Sequence, residues 1–228
     1  MSEQSERAGR FPHPNPLPHP QGVSPPGSRC FAATTARQAG EGEVVSPAGD
    51  AKKIRIATCS LAGCFGCHMS FLDIDERLLG LIHLVEFDRT PLTDIKHCGP
   101  CDVGIVEGGV CNAENVHVLK EFRKNCKVLV AIGACAINGG IPAMRNNIDL
   151  WDCFQEVYQY EGGLEGGKVP NDPELPLPFD KVHPIYEVVK VDYFLPGCPP
   201  SADAIWHFLT DLLNGREPKL DYDELHFD

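Results

Sequence analysis

Positive charge is scarce in this chain: 20 Lys and Arg face 32 Asp and Glu, for a formal net charge of −12. Nucleic acid and anionic membrane surfaces need a basic footprint that such a balance does not supply. Long hydrophobic runs are missing too. The longest, Val128 to Ile137, is about half of what a membrane-crossing helix requires, so no membrane span is expected. The N-terminus shows neither an apolar signal core nor a twin-arginine pair, and the expected location is cytoplasmic. Cysteine, by contrast, is plentiful. Eleven in 228 residues is too sparse for a small disulfide scaffold and too rich for a reduced protein with no use for thiolates. Metal or redox chemistry is the expectation, and an odd count is no disulfide framework.

Residues 1–53 differ from the rest. They hold eight of the twenty prolines, including the alternating run Pro12 to Pro20, and almost no periodic apolar pattern. Such a stretch cannot bury enough surface to offset its ordering entropy, so a disordered extension is expected there. A folded domain is expected over residues 54–228, carrying the excess acidity and ten of the eleven cysteines.

From residue 54 short β-branched runs alternate with helical patterns, the text of βαβ units and a parallel α/β sheet. The candidate strands are 54–58, 83–87, 103–106, 128–132 and 191–195. A helix is expected from the spacing of Phe71, Leu72, Ile74, Leu78, Leu79, Leu81 and Ile82, and another after the N-cap candidate Asn112. A last helix should begin at Ser201 and stop at Gly215. The Gly/Pro-rich stretch Glu161 to Pro184 reads as a long loop.

Four strands end in one grammar: an apolar run, a glycine, then a cysteine or a carboxylate. The first leads to Gly63-Cys64-Phe65-Gly66-Cys67, another to Glu107-Gly108-Gly109, a third to Gly133-Ala134-Cys135, and the last to Pro196-Gly197-Cys198-Pro199-Pro200. In a parallel sheet all four fall on the carboxyl edge, where open α/β folds place ligands. Cys64, Cys67, Cys135 and Cys198 supply the four thiolates that an iron–sulfur cluster takes. Glycines, Gly66 among them, let backbone amides approach the sulfurs. Cys67 also opens a helix, whose dipole favours a thiolate. Structural zinc is the competing reading, but such sites mostly use two paired knuckles, whereas Cys135 and Cys198 are single and remote.

Glu107 is either a cap for loop amides or a proton-handling group beside the cluster. His68, next to Cys67, could hydrogen-bond a sulfur but reads more plainly as an exposed helix-start histidine, and His183 has no partner visible in sequence. Cys98-Gly-Pro-Cys101 is a second C-x-x-C, but it precedes its strand and so belongs to the amino edge. It is a reversible dithiol or, more plainly, an incidental pair. Cys111 follows a strand on the correct edge and is the rival ligand. Cys59, Cys126 and Cys153 read as small buried hydrophobes, and Cys30 has no evident role.

The whole set resembles the small subunit of nickel-iron hydrogenases, and more narrowly the soluble, NAD-reducing (bidirectional) type. The residues that carry the resemblance are Cys64-Phe-Gly-Cys67 with Ser70-Phe-Leu-Asp73, Val106-Glu-Gly-Gly109, Gly133-Ala-Cys-Ala136, Pro142-Ala-Met-Arg-Asn146 and Pro196-Gly-Cys-Pro-Pro200. It covers residues 54 to about 218. It implies a flavodoxin-like domain holding one 4Fe-4S cluster on Cys64, Cys67, Cys135 and Cys198, with Glu107 matching a glutamate near that cluster. The implied partners are a large subunit with the nickel-iron site and diaphorase subunits with further iron–sulfur centres and FMN. Larger members add a cysteine-rich C-terminal domain and an export signal; no cysteine follows Cys198 here, so one cluster is expected.

Two other readings stand beside this one. The cluster subunit of respiratory complex I shares the Glu-Gly and Pro-Gly-Cys-Pro elements but has adjacent cysteines in its first motif, where Phe65 and Gly66 intervene here. A flavodoxin-like adaptor with structural zinc is the other. The carboxyl edge could accept FMN, yet the cysteine motif occupies the turn where a phosphate-cradling loop would sit.

Overall fold

The computed structural model of the protein describes residues 53–160 and 166–225. The extension expected over residues 1–53 lies outside them, Lys53 excepted, as does Cys30. Along the chain come β1 (Ile54–Ser60), α1 (Gly66–Leu72), α2 (Arg77–Leu84), β2 (Val85–Phe87), β3 (Cys101–Glu107) and β4 (Val110–Asn112). There follow α3 (Ala113–Asn125), β5 (Cys126–Ile132), α4 (Gly133–Asn138), α5 (Leu150–Gln155), β6 (Pro178–His183), β7 (Tyr193–Leu195), α6 (Ala202–Leu213) and α7 (Tyr222–Leu225).

Five strands form one parallel sheet in the order β2-β1-β3-β5-β7. Ranked among themselves they read 2-1-3-4-5, the flavodoxin-like doubly wound arrangement, whose switch point lies where the order reverses between β1 and β3. Both faces are covered. Val130 and Ile132 of β5 pack with Phe71, Leu81 and Ile205 from α1, α2 and α6, while Leu129 and Ala131 pack with Leu119 and Phe122 of α3 and Ala136 of α4. Burial on both sides explains why the strands read as near-continuous apolar runs rather than as alternating ones. Leu119, Phe122 and Leu129 are fully buried, each stabilising the fold by about 1.5–3 kcal/mol.

All five expected strands are present with edges shifted by a few residues; the strand expected over 128–132, for instance, begins at Cys126. Asn112 caps α3, its side chain accepting from the Asn115 N–H at 2.8 Å, and Ser201 caps α6 through the Ala204 N–H at 3.1 Å. Gly215 closes α6 with φ of 68°.

Two features differ from expectation. The helix expected across Phe71 to Ile82 is two helices, because the chain turns at Asp75, which takes a left-handed φ of 58°; aspartate tolerates that conformation better than most residues. Phe71, Ile74 and Leu81 still reach one core, whereas Leu79 and Ile82 are exposed. The stretch Glu161 to Pro184 is not all loop: β6 pairs antiparallel with β4 in a small second sheet. Arg145 donates to the carbonyls of Phe179 and Asp180, and Asn146 exchanges bonds with Val182 N–H (2.7 Å) and C=O (2.9 Å). The Pro142 to Asn146 motif thus pins this ribbon beside the carboxyl edge.

Candidate metal centre

The carboxyl edge gathers the four expected cysteines. Cys64 lies in the loop after β1, Cys67 in the first turn of α1, Cys135 in α4 straight after β5, and Cys198 in the loop after β7. The loops are tied to one another. Ala134 N–H donates to Gly197 C=O at 2.7 Å, Ser70 Oγ to Pro200 C=O at 2.6 Å, and Ala62 and Gly109 exchange backbone bonds. Gly66 N–H points at Cys64 Sγ from 3.4 Å, the kind of amide-to-sulfur approach that a glycine permits. Within the same turn Phe65 adopts a left-handed φ of 65° and stacks on the His68 ring with centroids 4.8 Å apart.

Space around the sulfurs is kept by the backbone. A Cβ on Gly133 would stand 2.3 Å from Cys67 Sγ, and one on Gly140 would stand 2.7 Å from Cys135 Sγ. Both glycines have positive φ, 82° and 50°, so any other residue there is strained as well as obstructed. Cys64 and Cys198 are exposed, Cys67 and Cys135 half-buried. The site opens on the surface.

Glu107 ends β3 and is only 2 % exposed. Its Oε2 accepts from the His68 N–H at 3.2 Å, and its Oε1 lies 3.1 Å from His68 Nδ1. That second contact is electrostatic rather than a well-aligned hydrogen bond, and neither atom has an aligned partner among the described residues. The other ring nitrogen, Nε2, meets Thr58 Oγ1 at 2.9 Å. Burial pushes the Glu107 carboxyl up, but the polar groups of His68, Ser60 and Cys67 around it outweigh that and hold it below the usual glutamate range. Glu107 stays ionised beside Cys67. Burial and this carboxylate push the Cys67 thiol up, so desolvation overrides the expected help from the helix dipole. Burial also raises Cys135, with Cys198 and Cys64 adding to it.

His68 corrects the sequence reading. It is 6 % exposed, not a surface residue, because the α1 turn folds it inward onto Glu107 and Thr58. Cys153 is half-exposed rather than buried, and His183 does have a partner, Glu187 at 2.6 Å. Cys111, the rival ligand, is engaged elsewhere: its Sγ donates to Asn115 Oδ1 at 3.3 Å. Ser70, Thr58, Arg145 and Asn146 escape sequence reasoning as supports; only their places inside or beside the motifs hint at them.

The donor set suits a polynuclear centre. A single ion draws thiolates to within about 4 Å of one another, and among the described residues the group of three metal-capable side chains within 4.8 Å is not found here but at Asp88, Cys98 and Cys101. A cluster binds each thiolate to a different iron and holds them farther apart.

Four cysteines on three connections at the carboxyl edge of a 2-1-3-4-5 sheet define the class, and the chain belongs to the family of the NADH ubiquinone oxidoreductase 20 Kd subunit, whose model matches residues 64–212. Within that class its likeness is to hydrogenase subunits. It is 52 % identical over 168 residues to the NAD-reducing hydrogenase HoxS subunit delta of Cupriavidus necator, covering 72 % of this chain and 80 % of that one. It is 37 % identical over 171 residues to a subunit of the vhu F420-non-reducing hydrogenase of Methanococcus voltae, covering 75 % of this chain and 60 % of that one. In structure it matches a chain of an NAD+-reducing NiFe-hydrogenase in the H2-reduced state with a TM-score of 0.76 and 61 % identity, covering 78 % of this chain and all of that one.

Proposed function

We propose that this chain is the electron-transfer small subunit of a cytoplasmic NAD-reducing nickel-iron hydrogenase. In this reading one 4Fe-4S cluster relays electrons between the nickel-iron site of a large subunit and a diaphorase module with iron–sulfur centres and FMN. The observation that carries it is the convergence of Cys64, Cys67, Cys135 and Cys198 from three strand-to-helix connections onto one edge, in a chain 52 % identical to a subunit of that type. Residues 54–228 would be the working domain and 1–53 an appendage to it.

Bound there, a 4Fe-4S cluster supplies reversible one-electron transfer. The chain's own part is positional. Four thiolates fix the group, Gly133 and Gly140 keep its surroundings clear, and Gly66 N–H faces a sulfur. Glu107 holds a negative charge beside Cys67, and His68, gripped by Glu107 and Thr58, braces the turn between Cys64 and Ser70. No group in the chain need act as base or nucleophile on hydrogen.

Cys135→Ala tests the assignment. It is expected to abolish the low-temperature EPR signal of one cluster, to remove about four iron per chain, and to stop hydrogen-dependent NAD reduction. Retention of both signal and activity overturns the ligand set. About one zinc and no iron in the anaerobically purified wild type would support the adaptor instead.

A further inference from the structure

A second cluster of ligands lies far from the first, under the loop that leads from β2 back to the start of β3. Cys101 opens β3 and Cys126 opens β5, and the two are register partners across the parallel pair. Six residue steps, roughly 20 Å at strand rise, separate Cys101 from Glu107 at the other end of β3. Asp88, Cys98 and Cys101 bring one carboxylate oxygen and two sulfurs within 4.8 Å of one another. Cys98 Sγ also lies 3.8 Å from Cys126 Sγ. We propose that Asp88, Cys98 and Cys101 bind one zinc ion, with Cys126, whose sulfur meets Cys98 but stands outside that group of three, turning in as the fourth ligand.

One distance matches a metal site, and the carboxylate beside the sulfurs is what a plain dithiol lacks. With Zn–S near 2.3 Å, two thiolates on a tetrahedral zinc stand about 3.8 Å apart, which is the spacing of Cys98 and Cys126. A redox pair needs only two sulfurs; here two sulfurs and a carboxylate are grouped, and a third sulfur stands against Cys98. All four residues are at most 5 % exposed, so a metal bound there would be shielded from solvent.

The scaffold around them is already fixed. Cys98 N–H donates to Glu121 Oε1 at 3.0 Å, Cys98 C=O accepts from Asn125 Nδ2 at 2.8 Å, and Pro100 C=O accepts from Arg55 at 3.0 Å. Asp88 is held through Oδ1 by the Arg89 and Gly99 N–H groups and through Oδ2 by the Arg55 guanidinium. A carboxylate oxygen has two lone pairs, so Oδ2 can keep Arg55 and still bind a metal. Supporting hydrogen bonds of this sort orient ligands at metal sites. Arg55 also offsets part of the charge of three thiolates and a carboxylate on a dication.

The chemistry is proton exchange without redox. Burial pushes the Cys101 thiol up to about 12, and the neighbouring Cys126 together with burial raises Cys98. Zinc entry forms a Zn–S bond at each cysteine as its thiol proton leaves to solvent. None of these residues belongs to the carboxyl-edge set, so the zinc site stands apart from the proposed function.

The test uses the full chain purified anaerobically in its complex. Elemental analysis should find about one zinc per small subunit beside the iron, and zinc-edge X-ray absorption should show three sulfurs near 2.3 Å and one oxygen near 2.0 Å. Cys98→Ser with Cys101→Ser should lower the zinc at least tenfold while the iron content and the cluster EPR signal stay unchanged. Absence of zinc in the wild type, retention of zinc in the double variant, a four-sulfur shell, or a disulfide among these cysteines in an alkylated peptide map overturns the proposal. Should the double variant fail to fold, the wild-type absorption spectrum and peptide map decide by the same criteria.

Discussion

Two glycines show how much a missing Cβ can mean. In Gly133→Ala the new carbon falls 2.3 Å from Cys67 Sγ at a φ of 82°, and iron content of the purified chain is expected to collapse. Gly80 sits inside α2 with nothing within 4 Å of its Cβ position; Gly80→Ala should stabilise the protein by about 0.5–1 kcal/mol, seen as a higher melting midpoint with iron unaltered. Glu107 offers an electrostatic counterpart. Glu107→Gln deletes a negative charge beside Cys67, so the reduction potential of the EPR-active centre is expected to rise. The cysteines were legible because each follows a strand and a glycine. His68 was not: its burial depends on the left-handed Phe65 turn, which no spacing rule announces.

Among the elements, α6 carries the largest share of one core face, with Ile205, Trp206, Phe208 and Leu209 all buried, and its start adjoins the Cys198 loop. Loss of its cap in Ser201→Ala should cost about 1 kcal/mol, read as a lower denaturation midpoint by Trp206 fluorescence. The strands were readable because burial on both faces demands continuous apolar text, and the caps Asn112 and Ser201 because their side chains compete with backbone for N–H groups. The β4–β6 ribbon was hidden. Its strands are short, one lies in Gly/Pro-rich sequence, and its pairing rests on Arg145 and Asn146 from a distant turn rather than on any local alternation. Likewise the break at Asp75 leaves the apolar rhythm of α1 and α2 unbroken, since both helices serve the same core.

For the molecule as a whole, the rim of the carboxyl edge is apolar where it should be wet. Ile141, Met144 and Ile148, on and beside the turn after α4, are 56–71 % exposed, and exposed apolar groups clustered beside a site mark docking surfaces. With the proposed large subunit as occupant, Met144→Asp is expected to reduce the heterodimer recovered by size exclusion while iron in the small subunit is retained. No helix among the described residues is long and apolar enough to cross a membrane, and the acidic balance of the chain leaves protein faces as its natural contacts. The order of the sheet could be inferred only through resemblance, since composition fixes neither strand neighbours nor register.

The spread of the four carboxyl-edge cysteines along the chain, from residue 64 to residue 198, also governs biosynthesis. On the proposed assignment the centre cannot be completed on a nascent chain until β7 and its following loop have left the ribosome. Cluster delivery is then tied to the emergence of the last strand of the sheet. Once inserted, it closes very long loops of chain, where restricting the unfolded ensemble brings its greatest entropic gain.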